Sequence, residues 1–64
     1  MSPVTIPEDF KKVLEEHRRI NDGFRFLPLT AQREYIEWID GASDNSERER
    51  RMYEAIEKLR DEIE

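Results

Sequence analysis

The fold of this chain is constrained most strongly by apolar side chains that recur at intervals of three and four residues. Three separate stretches show this spacing, which places the side chains of each stretch on one face of a helix. No stretch alternates between apolar and polar residues over enough positions to indicate a strand. The sequence therefore predicts an all-α fold. The three faces consist of Phe10, Val13, Leu14 and His17, of Tyr35, Trp38, Ile39 and Ala42, and of Met52, Ile56, Leu59 and Ile63.

The ends of the helices follow from residues that favour helix starts. Pro7 precedes two acidic residues and suits a first turn, where its missing N–H is not needed. Thr30 is a favoured N-cap, and Ser46 and Glu49 have the spacing of a capping box. We predict a small bundle of three main helices, preceded by an extended lead-in at residues 1–6. The predicted helices span about residues 7–19, 30–43 and 46–62.

The segment at residues 18–27 is less regular. Turn-forming residues occupy positions 21–23, whereas Ile20, Phe24 and Leu27 keep a helix-like spacing. The pattern fits either a frayed continuation of the first helix or a second, short helix near 18–27. Pro28 ends the segment in both cases, because the residue before a proline avoids the helical region.

Helices of this length are marginal in water on their own, so we expect residues 1–64 to form a single helical domain with one shared core. A chain of 64 residues buries only about 60% of the surface that it exposes when unfolded. It contains no cysteine and one histidine, which excludes disulfides, thiolate metal sites and multi-histidine metal sites. The expected core comprises Phe10, Val13, Leu14, Ile20, Phe24, Leu27, Tyr35, Ile36, Trp38, Ile39, Met52, Ala55, Ile56 and Leu59.

The balance of charge limits the classes of partner. Sixteen acidic residues against eleven basic ones give a formal net charge of -5. This charge opposes non-specific binding to nucleic acids and to anionic membranes, because both are polyanions. No apolar run has the length of a membrane span, and the first residues lack the pattern of a signal peptide. We expect a cytoplasmic protein without a cofactor, whose partner is another protein.

Arginines follow the break between the last two predicted helices. Helical spacing turns Arg48 and Arg51 towards the preceding helix and Arg50 towards solvent. We expect a structural clamp, in which Arg48 and Arg51 pair with Glu34 or with neighbours on their own helix. Alternatively, they stack on aromatic rings or bind carbonyl oxygens at the end of the preceding helix. The residues of this candidate clamp are Tyr35, Trp38, Arg48 and Arg51.

Two functional interpretations of the arginines stay open beside the clamp. The same four residues could hold an anion or meet a partner. A nucleic-acid-binding helical domain that uses Arg48, Arg50 and Arg51 is the alternative function. The carboxylates of Asp44, Glu47 and Glu49 cancel the local positive charge, which disfavours this alternative.

The sequence offers little for catalysis. His17 is the lone histidine and lies at the edge of an apolar face, where a packing role is expected. No cysteine nucleophile is present, and no serine lies in a Gly-x-Ser-x-Gly turn. So small a core should leave no pocket of the usual ~300–1,000 Å³. We therefore predict a non-enzymatic interaction module, with a candidate partner surface, for a second protein or a second copy, at residues that fall off the apolar faces. These residues are Phe26, Leu29 and Tyr53.

Three motifs carry a resemblance to a known family. The segments "IPEDF", "FRFLPLTAQREYIEWIDGA" and "ERERRM" together resemble the YdeI/OmpD-associated family, also called the bacteriocin-protection family. The resemblance covers residues 6–60. It implies a small helical module linked to envelope stress and to protection from bacteriocins or antimicrobial peptides, and it implies no particular reaction. The matching positions are Pro7, Glu8, Asp9, Phe10, Phe24, Leu27, Thr30, Arg33, Glu34, Tyr35, Trp38, Ile39, Ala42, Arg48, Arg51 and Met52.

Three positions depart from the family pattern. Ser43 stands where the family has a lysine, Glu47 where it has a threonine, and Ile20 where it has a small residue. The first change removes a positive charge near Arg48 and the second adds a negative one. Both changes weaken any anion site that the family has at this place.

Overall fold

A computed structural model of the chain describes residues 5–63 and is helical throughout, with no strand in that range. The all-α class predicted from the sequence is confirmed. The extended lead-in predicted for residues 1–6 lies outside the described residues at positions 1–4, and residues 5–7 precede the first helix. The helices are α1 (Glu8–Glu15), α2 (Arg18–Phe26), α3 (Leu29–Asp40) and α4 (Asn45–Ile63).

Residues 5–63 contain four helices where three main ones were predicted, and of the two alternatives for residues 18–27 the second, short helix is confirmed. The first helix ends at Glu15 instead of continuing to residue 19, and the segment near 18–27 forms the complete helix α2. His17 makes the break, because its backbone (φ -125°, ψ 81°) is not helical. Its ring Nδ1 lies 3.1 Å from the carbonyl oxygen of Val13, which accepts the hydrogen bond. The break lets α2 pack against both α1 and α4, which one straight helix could not do.

Two helix starts also differ from the predicted ones. Helix α3 begins after Pro28, so Thr30 lies within its first turn and is not the N-cap. Helix α4 begins at Asn45, and the side chain of Asp44 accepts the hydrogen bond of the Glu47 N–H at 2.8 Å. The carboxylate of Glu47 in turn accepts the Ser43 N–H at 2.9 Å. This reciprocal arrangement resembles a capping box and replaces the predicted Ser46–Glu49 box.

The core joins all four helices through the buried apolar faces. The rings of Phe10 and Phe24 meet edge to face with centroids 5.5 Å apart, and Phe24 meets Tyr35 similarly at 6.0 Å. Of the residues expected in the core, Leu27, Tyr35 and Trp38 are only partly buried. The remaining eleven predicted residues are buried: Phe10, Val13, Leu14, Ile20, Phe24, Ile36, Ile39, Met52, Ala55, Ile56 and Leu59.

Gln32 is a buried polar residue that the apolar spacing does not reveal. Its Nε2 group donates hydrogen bonds to the carbonyl oxygens of Leu27 at 2.9 Å and Arg25 at 3.2 Å. Carbonyl groups at the C-terminal end of a helix lack partners within the helix. Gln32, in the first turn of α3, therefore supplies hydrogen bonds to carbonyl groups at the end of α2 and fixes the corner between the two helices.

Gly23 allows a close approach between α2 and the end of α4. A Cβ atom at this position would overlap Cδ1 of Ile63 and lie 2.7 Å from its Cγ1. The glycine therefore lets the Ile63 side chain lie against α2, and a larger residue here would push the end of this 40% exposed side chain aside. Within the part of the chain that the structure describes, none of the helices is long and apolar enough to cross a membrane.

Candidate functional site

Arg48 joins three helices. From the first half of α4, its Nε atom donates to Asp9 Oδ2 of α1 at 2.6 Å, and its Nη2 atom donates to Asp9 Oδ1 at 3.2 Å. Its Nη1 atom donates to Asp40 Oδ1, in the last residue of α3, at 2.8 Å. The two-pronged contact with Asp9 is the geometry that suits guanidinium and carboxylate groups. The partners are Asp9 and Asp40, and Arg48 does not pair with Glu34.

The clamp changes the acidity of its members. The hydrogen bond from Arg48, followed by the one from the Phe10 N–H, lowers the pKa of Asp9 below its ordinary value of 3.8. The same pairing, together with Asp40, raises the pKa of Arg48. The pairing also offsets an unfavourable position of Asp40, because a carboxylate in the last turn of a helix is repelled by the negative end of the helix dipole. The acidic end of α3 was thus a sequence signal that a cation lies nearby.

Arg51 binds the same helix by other contacts. Its Nη1 atom donates to the backbone carbonyl oxygen of Trp38 at 2.6 Å, and its guanidinium carbon lies 5.4 Å from the centroid of the Trp38 ring. It also lies 3.5 Å from the carboxylate of Glu47. The hydrogen bonds from Ser43, followed by the charge of Arg51, lower the pKa of Glu47. The structure thus brings Arg51 and Trp38 together at the end of α3, whereas Tyr35 forms neither a hydrogen bond nor a cation–π contact with Arg48 or Arg51 in the described range.

Arg50 points away from these contacts and lies 3.6 Å from Glu47 and 3.7 Å from Glu54 on its own helix. Each guanidinium of the cluster is therefore already paired with at least one carboxylate. In residues 5–63 the carboxylates that pair with these three arginines are Asp9, Asp40, Glu47 and Glu54. Four negative charges against three positive ones leave no positive face for a polyanion here.

An open groove of about 340 Å³ lies between α3 and α4. We expected no pocket of ~300–1,000 Å³; the groove reaches the lower end of that range in volume, but it is open to solvent and is not an enclosed pocket. Three residues that were expected in the core line it, which explains their partial exposure. The lining residues are Leu27, Ala31, Glu34, Tyr35, Trp38, Lys58 and Glu62.

The groove combines aromatic rings with charged side chains that sequence reasoning did not single out. The Lys58 Nζ atom lies 5.5 Å from the centroid of the Trp38 ring and, within residues 5–63, forms no ion pair. Glu54, which stands four residues before Lys58 and would suit an i,i+4 pair, lies instead beside Arg50. Burial, followed by the negative charge of Glu62, raises the pKa of the Tyr35 hydroxyl. Apolar spacing finds buried faces, and these charged residues stand at the margins of such faces.

The candidate partner residues lie at the surface. Phe26 is 89% exposed, and Leu29 and Tyr53 are also exposed. Phe26 and Leu29 flank the corner between α2 and α3, whereas Tyr53 lies on α4. Ile63 is a further exposed apolar residue that was not predicted. No group of three or more acidic or histidine side chains in residues 5–63 is placed to hold a metal ion.

Comparison with known proteins agrees with the motifs. The family model described as bacteriocin-protection, YdeI or OmpD-associated matches residues 3–62. Searches of curated proteins and of solved structures gave no significant match. The matched range includes Arg48 with its partners Asp9 and Asp40, Arg51 with Trp38, and the groove between α3 and α4. Since the match extends over nearly the whole chain, the protein belongs to the bacteriocin-protection, YdeI or OmpD-associated family.

Proposed function

We propose that this chain is a non-enzymatic helical module that binds a protein partner and thereby contributes to protection from bacteriocins or antimicrobial peptides during envelope stress. Membership of the bacteriocin-protection family supports the process. We further propose that the module acts in the cytoplasm. The lone His17 is engaged with the carbonyl oxygen of Val13, which supports a packing role over a catalytic one.

The observation that carries the proposal is the exposure of Phe26. The apolar face of α2 contains Ile20 and Phe24, and a residue two positions after Phe24 points to the opposite side of a helix. Phe26 consequently leaves 89% of its surface in water. Burial of a side chain of this kind is worth about 1.5–3 kcal/mol, which the chain alone does not gain and a partner could supply.

The exposed ring does not stand alone. Leu29 lies on the other side of the same corner, and Leu27 between them lines the groove. Gln32 holds this corner through its two hydrogen bonds to α2, so the apolar residues are presented on a fixed backbone. Little ordering of the chain is then needed when a partner binds, which favours affinity.

The test is deletion of the gene in its host, followed by challenge with bacteriocins and cationic peptides. We expect the deletion strain to be more sensitive and the natural chain to restore resistance. A chain with Phe26→Ser, Leu29→Ser and Tyr53→Ser should fail to restore it while keeping its melting temperature, because all three side chains are exposed.

A control chain carries Lys11→Ser, Arg33→Ser and Glu57→Ser at three other exposed positions and should restore resistance fully. Full resistance with the variant that carries Phe26→Ser, Leu29→Ser and Tyr53→Ser would show that the candidate surface is not needed for protection. Unchanged sensitivity of the deletion strain to every peptide would contradict the protective role itself.

A further inference from the structure

We propose that the groove between α3 and α4 receives a lysine or arginine side chain from a basic, partly apolar segment of the partner polypeptide. This inference rests on the proposed function, since it names the chemistry of the partner. The groove, of about 340 Å³, is at the lower end of the range of ligand sites, which fits one long side chain better than a whole small molecule.

The floor of the groove already attracts cations. Two basic groups of α4, Arg51 and Lys58, lie 5.4 and 5.5 Å from the centroid of the Trp38 ring. The face of an aromatic ring is negative, and tryptophan binds cations best among the aromatic residues. Lys58 occupies this ring without forming an ion pair with a described residue, so it behaves as a resident cation that an incoming one can displace.

The walls of the groove add negative charge. Glu34 on α3 and Glu62 on α4 both line it, and neither forms an ion pair within residues 5–63. With Lys58 as the only basic residue in the lining, the groove carries a formal charge of -1. The whole chain carries -5, so a basic segment is attracted over a distance as well as at contact.

The end of the groove explains why the partner should also be apolar. Leu27 lines the groove at the corner between α2 and α3, where Phe26 and Leu29 are exposed. A segment that places a basic side chain over Trp38 would thus bring its neighbouring apolar side chains against this corner. An amphipathic basic helix has this combination of groups.

The experiment uses Trp38, the only tryptophan of the chain, as a fluorescent reporter inside the groove. The natural chain is titrated with an amphipathic peptide of lysine and leucine, and separately with the same peptide carrying glutamate in place of lysine. We expect saturable binding of the first peptide and none of the second. Equal binding of both, or no binding of the first, would overturn the proposal. A free polyamine that competes as strongly as the lysine peptide would overturn the assignment to a polypeptide.

A pair of double variants separates the groove from the overall charge. Glu34→Gln with Glu62→Gln should weaken binding of the lysine peptide, by up to about five-fold for each carboxylate. The matched control, Glu37→Gln with Glu57→Gln, makes the same change of net charge on the same two helices outside the groove lining. It should weaken binding less than two-fold at an ionic strength of about 0.15 M, where charges beyond ~8 Å are largely screened. Equal losses in both double variants would show non-specific attraction and overturn the site.

The resident lysine supplies the opposite prediction. Lys58→Met should strengthen binding of the lysine peptide by about two- to five-fold, because the Trp38 face becomes free for the incoming cation. Lys11→Met makes the same change of charge at an exposed position of α1 and should have little effect on the affinity for the lysine peptide. Equal affinities of these two variants would overturn the displacement of Lys58.

The two proposals can fail separately. If the groove variants bind like their controls while Phe26→Ser, Leu29→Ser and Tyr53→Ser still abolishes resistance in the host, the interaction function stands. In that case the partner would not be basic at this groove. If the lysine peptide binds as expected but resistance is unaffected by the serine variant, the groove stands and the protective role of the corner does not.

Discussion

Replacing Arg48 with methionine tests whether its clamp stabilises the fold. Methionine keeps an unbranched apolar stem but removes the guanidinium that joins α4 to α1 and α3. The Arg48 side chain is only 24% exposed, whereas Asp9 and Asp40 are 46% and 52% exposed. The contacts are therefore only partly shielded from water. Their contribution to the free energy of unfolding should be closer to that of surface ion pairs than to that of buried ones.

The expected loss follows from these contacts. An exposed ion pair contributes about 0.2–1 kcal/mol, and the two-pronged geometry with Asp9 favours the upper half of that range. Asp40 adds a second exposed pair, which contributes a further ~0.2–1 kcal/mol. The sum for Arg48→Met is about 1–2 kcal/mol. For a domain of this size it lowers the melting temperature by about 4–16 °C.

Thermal unfolding followed by circular dichroism measures this loss, with Arg50→Met as the matched control. Arg50 is 69% exposed and contacts only carboxylates on its own helix, so its removal should cost about 0.5 kcal/mol at most. A double-mutant cycle between Arg48→Met and Asp9→Asn should give a coupling energy of at least about 0.5 kcal/mol. Equal melting temperatures for the two methionine variants, or a coupling energy of zero, would refute the clamp.

Three further predictions concern stability. Gly23→Ala should raise the free energy of unfolding by about 1 kcal/mol in an Ile63→Ala background, through helix propensity alone. In the natural chain the same substitution should raise the free energy of unfolding less, or lower it, because the new Cβ would overlap Ile63 Cδ1; equal gains by urea denaturation would contradict the close approach. Gln32→Met should lower the free energy of unfolding by about 1–3 kcal/mol, since two carbonyl groups at the end of α2 lose their donor; an unchanged urea midpoint would exclude this role. The lowered pKa of Asp9 contributes stability that is present above its unfolded value of 3.8 and is lost as the pH falls through its folded value. The difference in stability between the natural chain and Asp9→Asn should therefore be constant near neutral pH and shrink below about pH 4, and a difference that grows in acid would contradict the pairing with Arg48.

Much of the fold could be predicted because the apolar spacing is regular. The buried faces of α1, α3 and α4 follow directly from it, and eleven of the fourteen expected core residues are buried. The spacing could not decide between a break at His17 and a frayed continuation of the first helix, because Phe10, Ile20 and Phe24 also share a side in one continuous helix. The break allows α2 to pack on α4, and this packing is a property of the tertiary structure that the local spacing does not show.

The candidate site was predictable in part for a related reason. Helical spacing correctly turns Arg48 and Arg51 inward and Arg50 outward, since the direction of a side chain is a local property of the helix. Their partners are not local. Asp9 lies 39 residues from Arg48 along the chain, and nothing in the spacing favours it over Glu34. The i,i+4 rule favours Glu54 as the partner of Lys58, yet Lys58 lies over the ring of Trp38, which belongs to another helix.

Along α4, the contacts that hold the fold are separate from the residues of the proposed binding groove. Its first half carries Arg48 and Arg51, whose side chains hold α1 and α3 and fall on the motifs by which the family is recognised. Its second half carries Lys58 and Glu62, which lie outside those motifs and line the groove. Trp38 of α3 contacts both halves of α4, because its carbonyl oxygen accepts a hydrogen bond from Arg51 while its ring lies beneath Lys58. A change at Arg51 should therefore disturb both stability and the groove, whereas a change at Glu62 should alter the groove alone.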